Sequence, residues 1–390
     1  MKTITKTKDL VEFCKAAASC DYITIDTEFL RERSYYSKLC LVQLALPGKT
    51  NENAVLVDPL SDGISLEPLY EVFRNKSIVK VFHAARQDLE IFYLDARVLP
   101  KPLFDTQVAA MVCGFGDQVG YETLVSRITK KALDKSSRFT DWSRRPLTDA
   151  QKSYAIGDVT HLRQVYEHLA EKLETSGRAR WLQEELETLT SDETYISRPM
   201  EAWKRVKTRS TSPKFLAIIQ GLAEFREKYA QDHDIPRNRI FKDDALIELA
   251  SSKPTNMQDL QRSRLLQRDA RKGDIAEGII AGVKWALARP VEDLPHPVVS
   301  VDRNNVNPAL ADLLRVLLKA KTEKTGVAAK LIAGSSDLDA LASGDSDILA
   351  MQGWRYDVFG EDAQKLCRGE IALVANGRKV DIFPITPSKS

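Results

Sequence analysis

In the run Tyr22-Ile23-Thr24-Ile25-Asp26-Thr27-Glu28-Phe29, good strand formers end in two carboxylates at i and i+2. Period-two geometry puts Asp26 and Glu28 on one face, about 6–7 Å apart along the strand. Like charges so placed repel unless a cation lies between them, and carboxylate oxygens are the donors that Mg²⁺ and Mn²⁺ prefer. A solvated strand end is the alternative reading of this pair. A third acid, Asp88, follows the apolar strand Ser77–Ala84 at the start of a helical pattern, where the helix dipole favours an acid in any case. Tyr154 and Asp158, in Tyr154-Ala155-Ile156-Gly157-Asp158, are spaced i, i+4, which stacks phenol and carboxylate on one helix face. A metal-held carboxylate beside a Tyr hydroxyl can hold and orient an attacking water. The plainer alternative is a half-buried Tyr beside a surface acid.

Four β-rich runs, YITIDTEF, LCLVQLAL, AVLVDP and SIVKVFHA, occupy residues 22–84. Helical patterns follow in SLEPLYEVFRN, RQDLEIFYL and a long stretch from Leu147 to Leu189. Strands with interleaved helices predict an α/β unit with a mixed sheet covered by helices over residues 1–197. The segment Arg198 to Lys214 then carries six basic residues and one acid with Ser, Thr and Pro breakers, which predicts a basic linker at 198–213. Beyond it the chain reads as all-helical. A shift of 92 positions aligns Ile218 with Leu310, Leu222 with Leu314, Ile240 with Ile332 and Leu249 with Leu341 without a gap, which points to a duplicated helical module. The modules are placed at 214–292 and 298–385, separated near the Pro-rich stretch Ala288 to Pro297.

The totals of 57 Lys+Arg and 55 Asp+Glu nearly cancel, but their distribution does not. Residues 1–197 carry 26 basic and 29 acidic side chains, 198–292 carry 19 and 13, and 293–390 carry 12 and 13. The first residues, MKTITKTKDL, contain no apolar core of a signal peptide, and no run of about 18 apolar residues occurs. A cytoplasmic protein is expected. Cys14, Cys20, Cys40, Cys113 and Cys367 form no C-x-x-C pair and read as buried structural thiols in a reducing compartment.

The order Asp-x-Glu, then Asp88, then Tyr-x-x-x-Asp resembles the DEDD exonuclease superfamily in its tyrosine-containing branch, and within it the ribonuclease D family. Arg33 to Gln43 (RSYYSKLCLVQ), Pro102 to Thr106 (PLFDT) and Leu133 to Leu147 (LDKSSRFTDWSRRPL) support it. The resemblance implies a ribonuclease H-like exonuclease domain followed by two HRDC-type helical domains, the second more divergent. It implies that Asp26, Glu28, Asp88 and Asp158 hold two divalent ions, Mg²⁺ or Mn²⁺, and that Tyr154 positions or deprotonates the water. It places the surroundings of Phe29 and Gln43 near the 3′-terminal nucleotide, with core packing as the alternative for both. His83 is a further candidate at the substrate, with a structural role the other reading.

The activity so implied is metal-dependent 3′→5′ exoribonuclease cleavage, releasing nucleoside 5′-monophosphates and trimming 3′ trailers of precursor tRNA and other small structured RNAs. Two ions about 3.5–4 Å apart can activate the attacking water and neutralise the leaving 3′-oxygen. RNA is the expected partner, with no membrane and no obligate protein partner. In Gln261 to Lys272, Arg264, Arg268 and Arg271 fall at i, i+4 and i+7. On one helix they form a stripe suited to phosphates, or else a solvated face. A DNA proofreading-type exonuclease shares the same acids, and a non-catalytic RNA-binding protein on a nuclease fold is the rival of another class.

Overall fold

The computed structural model describes residues 2–133, 137, 140–296 and 306–385. Residues 134–136, 138 and 139 of the Leu133 to Leu147 stretch lie outside the described residues, as do 298–305 at the head of the second expected module. The first 200 residues run β1 (Lys2–Ile4), α1 (Thr7–Ala17), β2 (Tyr22–Leu30), β3 (Lys38–Ala45), β4 (Ala54–Val57), α2 (Glu67–Arg74), β5 (Val79–Phe82), α3 (Arg86–Ala96), β6 (Leu103–Asp105), α4 (Thr106–Val112), α5 (Tyr121–Thr129), α6 (Asp149–Thr175) and α7 (Ala179–Leu189). The four expected strands are present. The short edge strands β1 and β6 carry too few residues to show a period and are additions. The long helical stretch is two helices, because the chain turns at Gly177 with φ 67°, a backbone that glycine adopts without strain.

The sheet order is β1-β4-β3-β2-β5-β6, with β3 antiparallel to both neighbours and the other pairs parallel. It is therefore mixed. One face buries Ile23, Ile25, Val42, Leu44 and Val81 with Leu89 and Phe92 of α3. The other packs Leu41, Ala45 and Leu56 against Ala155, Ile156 and Val159 of α6. That helix starts at a capping box in which Thr148 and Gln151 satisfy each other's backbone N–H groups. The last residue of β2 paired with β5 is Thr24, opposite Val81. β2 therefore runs on past β5, and Asp26 and Glu28 lie in this overhang, the stretch that is paired with β3 alone.

Residues 199–205 form a 3-10 helix whose Ala202, with Val206 just after it, is buried against the next core. The basic linker is thus packed in place. The first helical unit holds α8 (Pro213–Asp232), α9 (Arg237–Ile240), α10 (Asp243–Ser252), α11 (Met257–Leu260) and α12 (Gly273–Leu287) around its own core. The second holds α13 (Pro308–Thr325), α14 (Ala329–Ile332), α15 (Ser335–Ala342), α16 (Gly353–Arg355) and α17 (Glu361–Cys367), the last two joined by a π turn. It is not all-helical as expected: β7 (Ile371–Asn376) and β8 (Lys379–Pro384) form a closing antiparallel hairpin. A two-residue Gly377-Arg378 turn with Gly377 at φ 59° carries it.

The repeat is visible in the helix boundaries. α9 and α10 begin 92 residues before α14 and α15. From there the offset drops to 80, which relates the 3-10 turn Asp269–Arg271 to Leu349–Met351 and α12 to the run Gly353–Cys367. Both runs start on a glycine with positive φ, 60° at Gly273 and 50° at Gly353. The missing residues correspond to α11 and the basic stretch after it. Cys14, Cys40 and Cys113 are buried, Cys20 is half-buried, and Cys367 is exposed, unlike the expected buried thiol. No helix among the described residues is long and apolar enough to cross a membrane.

Both helical units touch the α/β unit. The Tyr35 hydroxyl donates to the Glu227 carboxylate of α8, and Asp234 accepts from the Tyr35 and Tyr36 N–H groups (3.0 and 2.9 Å). On the second unit, Trp354 stacks on Trp181 of α7 with centroids 4.8 Å apart, and Arg355 pairs with Glu185. Ala328 N–H donates to the Met111 carbonyl (3.0 Å). Trp354 is 4% exposed, so Trp354→Ala is expected to cost about 3–5 kcal/mol. The check is a lowered urea midpoint together with red-shifted Trp181 emission.

Candidate active site

Asp26 and Glu28 share the β2 face that carries Thr24, whose Oγ1 donates to the Val159 carbonyl of α6 (2.8 Å). This bond sets the separation between strand and helix, so that Asp158, one residue before Val159, stands over the overhang. The carboxylate oxygens of Asp26, Glu28 and Asp158 lie within 4.8 Å of one another. Tyr154 stands one turn earlier on α6, its ring 6.1 Å from Trp142. Thr27, between the two acids of β2, points to the opposite face and donates to the Asp88 carboxylate. Asp88 is 7% exposed and stands outside the group of three, though its charge is felt by Glu28.

The stretches flanking the acids have structural tasks. Asp105 caps α4 and also accepts from the Ala84 and Ala85 N–H groups (3.0 and 2.8 Å). It thereby holds Ala84 at φ 56° and aims α3, with Asp88, at the overhang. Gln43 lies directly opposite Asp26 on β3. It is fully buried, and neither atom of its amide has a hydrogen-bond partner among the described residues. A buried amide left so is costly, and a ligand beside Asp26 would relieve it. Phe29 is half-buried opposite Leu39, past a bulge, and does not line the cavity at the carboxylates.

That cavity encloses about 280 Å³ and is lined by Asp26, His83, Tyr121, Glu122, Tyr154 and Asp158 among others. His83 Nδ1 pairs with Thr106 Oγ1 (3.0 Å), while Nε2 is buried with no well-formed hydrogen bond among the described residues. Burial holds its pKa below the ordinary histidine value. Tyr121, which sequence reasoning missed, donates its hydroxyl to the Asp158 carbonyl. Nothing in the spacing around Gly120-Tyr121 marks it. Thr27 was legible: alternation sends it to the face opposite its acidic neighbours.

Burial first and then the charge of Asp158 hold Asp26 well above the usual carboxylate range. Burial, then Asp26, Asp158 and Asp88, push Glu28 up to about 10, and burial with Asp26 raises Asp88. The donors are all hard oxygens whose mutual repulsion a cation would relieve, so the set fits a divalent ion of the Mg²⁺ or Mn²⁺ type.

The basic residues of the first helical unit are arranged differently from expectation. Residues 261–268 form turns and Asp269–Arg271 a 3-10 turn, so Arg264, Arg268 and Arg271 share no helix face. Ser263 bonds Glu248, and backbone groups of this stretch fold onto side chains, which stops a helix. The Glu248 carboxylate accepts from Ser263 Oγ (2.6 Å), Arg264 N–H (2.7 Å) and Leu265 N–H (2.8 Å). Arg271 turns inward, donating to the Leu266 and Gln261 carbonyls. Arg262, Arg264 and Arg268 are left exposed on a braced loop.

A mixed sheet with clustered carboxylates on an overhanging strand, faced by a Tyr-bearing helix, defines a 3′-5′ exonuclease. Residues 1–174 match the 3′-5′ exonuclease family and residues 215–281 the HRDC domain. The chain is similar to ribonuclease D of Jannaschia sp. (strain CCS1), 61% identical over 98% of this chain and 99% of that one. Ribonuclease D of Nitrobacter hamburgensis is 45% identical, again over 98% and 99%. The crystal structure of Escherichia coli RNase D, described as an exoribonuclease involved in structured RNA processing, superposes with a TM-score of 0.81 at 28% identity, covering 94% of this chain and 98% of that one. The chain belongs to the ribonuclease D family and is a 3′→5′ exoribonuclease.

The raised carboxyl pKa values have a consequence for the metal-free protein. A folded carboxyl that titrates above its unfolded value contributes stability that is full below the unfolded pKa and is lost as pH rises through the folded one. For Glu28 that window runs from 4.5 to about 10. In EDTA the thermal midpoint should therefore fall as pH rises from about 5 to about 8, and millimolar Mg²⁺ should raise the midpoint most at the alkaline end. Equal slopes with and without Mg²⁺ would contradict a cation site at these acids.

Proposed function

We propose that Asp26, Glu28, Asp88 and Asp158 hold two divalent ions and that the chain hydrolyses the 3′-terminal phosphodiester of RNA, releasing nucleoside 5′-monophosphates. Bound there, the ions would lower the pKa of the attacking water and neutralise the leaving 3′-oxygen. The observation that carries this reading is the convergence of three carboxylates within 4.8 Å beside the Tyr154 helix. Tyr154 stands on the same face as Asp158 and orients the water or takes its proton. The buried His83 Nε2 and Gln43 amide are the groups that would hydrogen-bond the terminal nucleotide. Thr27 holds the Asp88 carboxylate until a ligand draws it in.

The substrates we assign are 3′ trailers of precursor tRNA and other small structured RNAs in the cytoplasm. The braced loop with Arg264 and Arg268, in the HRDC unit, supports a hold on folded RNA through its phosphates. We read 1–197 as the exonuclease domain, 214–292 as the first HRDC-type domain, and the second helical unit, on the strength of its repeated helix boundaries, as a divergent HRDC-type domain. The absence of the basic loop and the added hairpin are its departures.

Asp26→Asn and Asp158→Asn should each abolish Mg²⁺-dependent trimming of a 3′-extended tRNA while RNA binding in a filter assay persists. Unchanged trimming in both would refute the site. Tyr154→Phe should lower kcat by about 10²–10⁴-fold with little change in KM. Reversing the loop with Arg264→Glu and Arg268→Glu should weaken tRNA trimming by about tenfold or more while sparing a short unstructured oligomer. Equal loss on both substrates would assign the loop to folding.

A further inference from the structure

A second cavity, of about 640 Å³, opens between the α/β unit and the first helical unit, on the α3 side of the carboxylates. Its walls include Arg31, Arg86 and Gln87 from the α/β unit, Arg205 from the packed linker and Arg237 from α9. None of these lines the catalytic cavity.

The charges of the cleft do not cancel. Arg31 is neutralised by Glu90 (2.8 Å). Arg205 and Arg237 share one carboxylate, Glu227, at 2.9 and 3.2 Å, and the Glu227 side chain is 1% exposed. Glu227 also accepts from Tyr35 and Ser197, so the two guanidiniums are fixed in place by a buried anchor and keep net positive charge between them. Arg86, the first residue of α3, is exposed and has neither an ion pair nor a hydrogen bond among the described residues. Four guanidiniums thus face two carboxylates. Hydroxyl and amide groups of Ser34, Thr194, Ser197 and Asn238 complete the lining, the side-chain types that supplement arginine at phosphate and sugar.

A positive cleft serves a nuclease where it lies along the strand being cut, and α3 links this one to the carboxylates. Arg86 stands two residues before Asp88, on the same first turn of α3. A cavity of this size accepts a molecule of drug or nucleotide dimensions and excludes a duplex. We propose that this cleft holds the phosphodiester backbone of the RNA strand on the 5′ side of the nucleotide at the carboxylates, with Arg86 as a direct phosphate contact and Arg205 and Arg237 flanking it. This rests on the exoribonuclease reading above. It makes the enzyme depend on a stretch of unpaired 3′ strand long enough to reach from the carboxylates into the cleft, so cleavage slows once trimming has brought a duplex close.

The test compares full-length wild-type protein with Arg86→Gln and Arg86→Lys on a dinucleotide and on an unstructured RNA of about ten nucleotides. Because the Arg86 side chain makes no hydrogen bond or ion pair among the described residues, these variants should fold as wild type, which circular dichroism checks. Arg86→Gln should lower kcat/KM on the longer RNA by about tenfold through KM and reduce the salt slope of binding by about one. Hydrolysis of the dinucleotide should be unchanged, and Arg86→Lys should recover most of the loss. On a hairpin with a 3′ tail, wild type should slow at a fixed overhang and Arg86→Gln should lose that contrast. An equal loss on the dinucleotide would mean that Arg86 acts at the carboxylates, and no loss on the longer RNA would mean that the strand runs elsewhere; either overturns the proposal. Failure of wild type to trim any RNA would instead count against the exoribonuclease reading.

Discussion

Three carboxylates that repel one another, Asp26, Glu28 and Asp158, are held within 4.8 Å with a fourth acid, Asp88, nearby, and much of the α/β unit can be understood as the means of doing so. Each comes from an element anchored by a bond to backbone or to a buried neighbour. Thr24 ties β2 to α6 through the Val159 carbonyl, and Tyr121 holds the Asp158 carbonyl. Asp105 fixes the turn that launches α3, while Thr27 keeps Asp88 beside the group. Such anchors are needed because the acids have no attraction of their own in the absence of a cation. Burial and mutual repulsion raise the pKa values of Asp26, Glu28 and Asp88, and a frame that already gathers the acids lessens the reorganisation a hard cation would require.

The two helical units are fixed to this frame by different physics. The first is attached through a buried polar hub, in which Glu227 collects the Tyr35 hydroxyl, Ser197, Arg205 and Arg237. Burial raises the carboxyl pKa, but Tyr35, Arg237 and Arg205 outweigh it, and the group is held below its ordinary value. A satisfied network of this kind specifies orientation more than it adds stability. The second unit is attached through the Trp181–Trp354 stack and the Arg355–Glu185 pair. The polar hub also leaves two oriented guanidiniums facing a cleft, which an apolar contact could not provide.

The strands β2 to β5 and helices α2 and α3 were legible because each shows a clean period of two or an amphipathic repeat. β1 and β6, three residues each, are too short for periodicity and exist only because a neighbouring strand offers an open edge. At the site, the spacing of Asp26, Glu28, Tyr154 and Asp158 was readable, since both pairs lie within single elements. That Asp88 stands apart from the three others was not, because its position depends on Thr27 and on the Asp105 clamp. The arginine stripe misled for a similar reason. Arg264, Arg268 and Arg271 have helical spacing, but Glu248, sixteen residues before Arg264, captures the backbone N–H groups that a helix would have used. Local periodicity is blind to an acceptor supplied from another helix.

The same acceptor explains why the repeated units differ where they do. Between α10 and the following 3-10 turn the first unit carries α11 and the braced loop, and the second carries only residues 343–348. The drop in offset from 92 to 80 is confined to this connection, while α9 and α14 are both four residues long and the runs after the connection keep their glycine starts. A loop on the surface can be gained or lost at little cost to a helical core, so a duplicated unit is free to change there first. The charge follows the loop: residues 198–292 carry 19 basic against 13 acidic side chains and residues 293–390 carry 12 against 13. The second unit carries neither the loop nor a surplus of positive charge, and its Trp354 and Arg355 are buried against α7. The two units thus share helix boundaries around separate cores, and both are packed against the α/β unit.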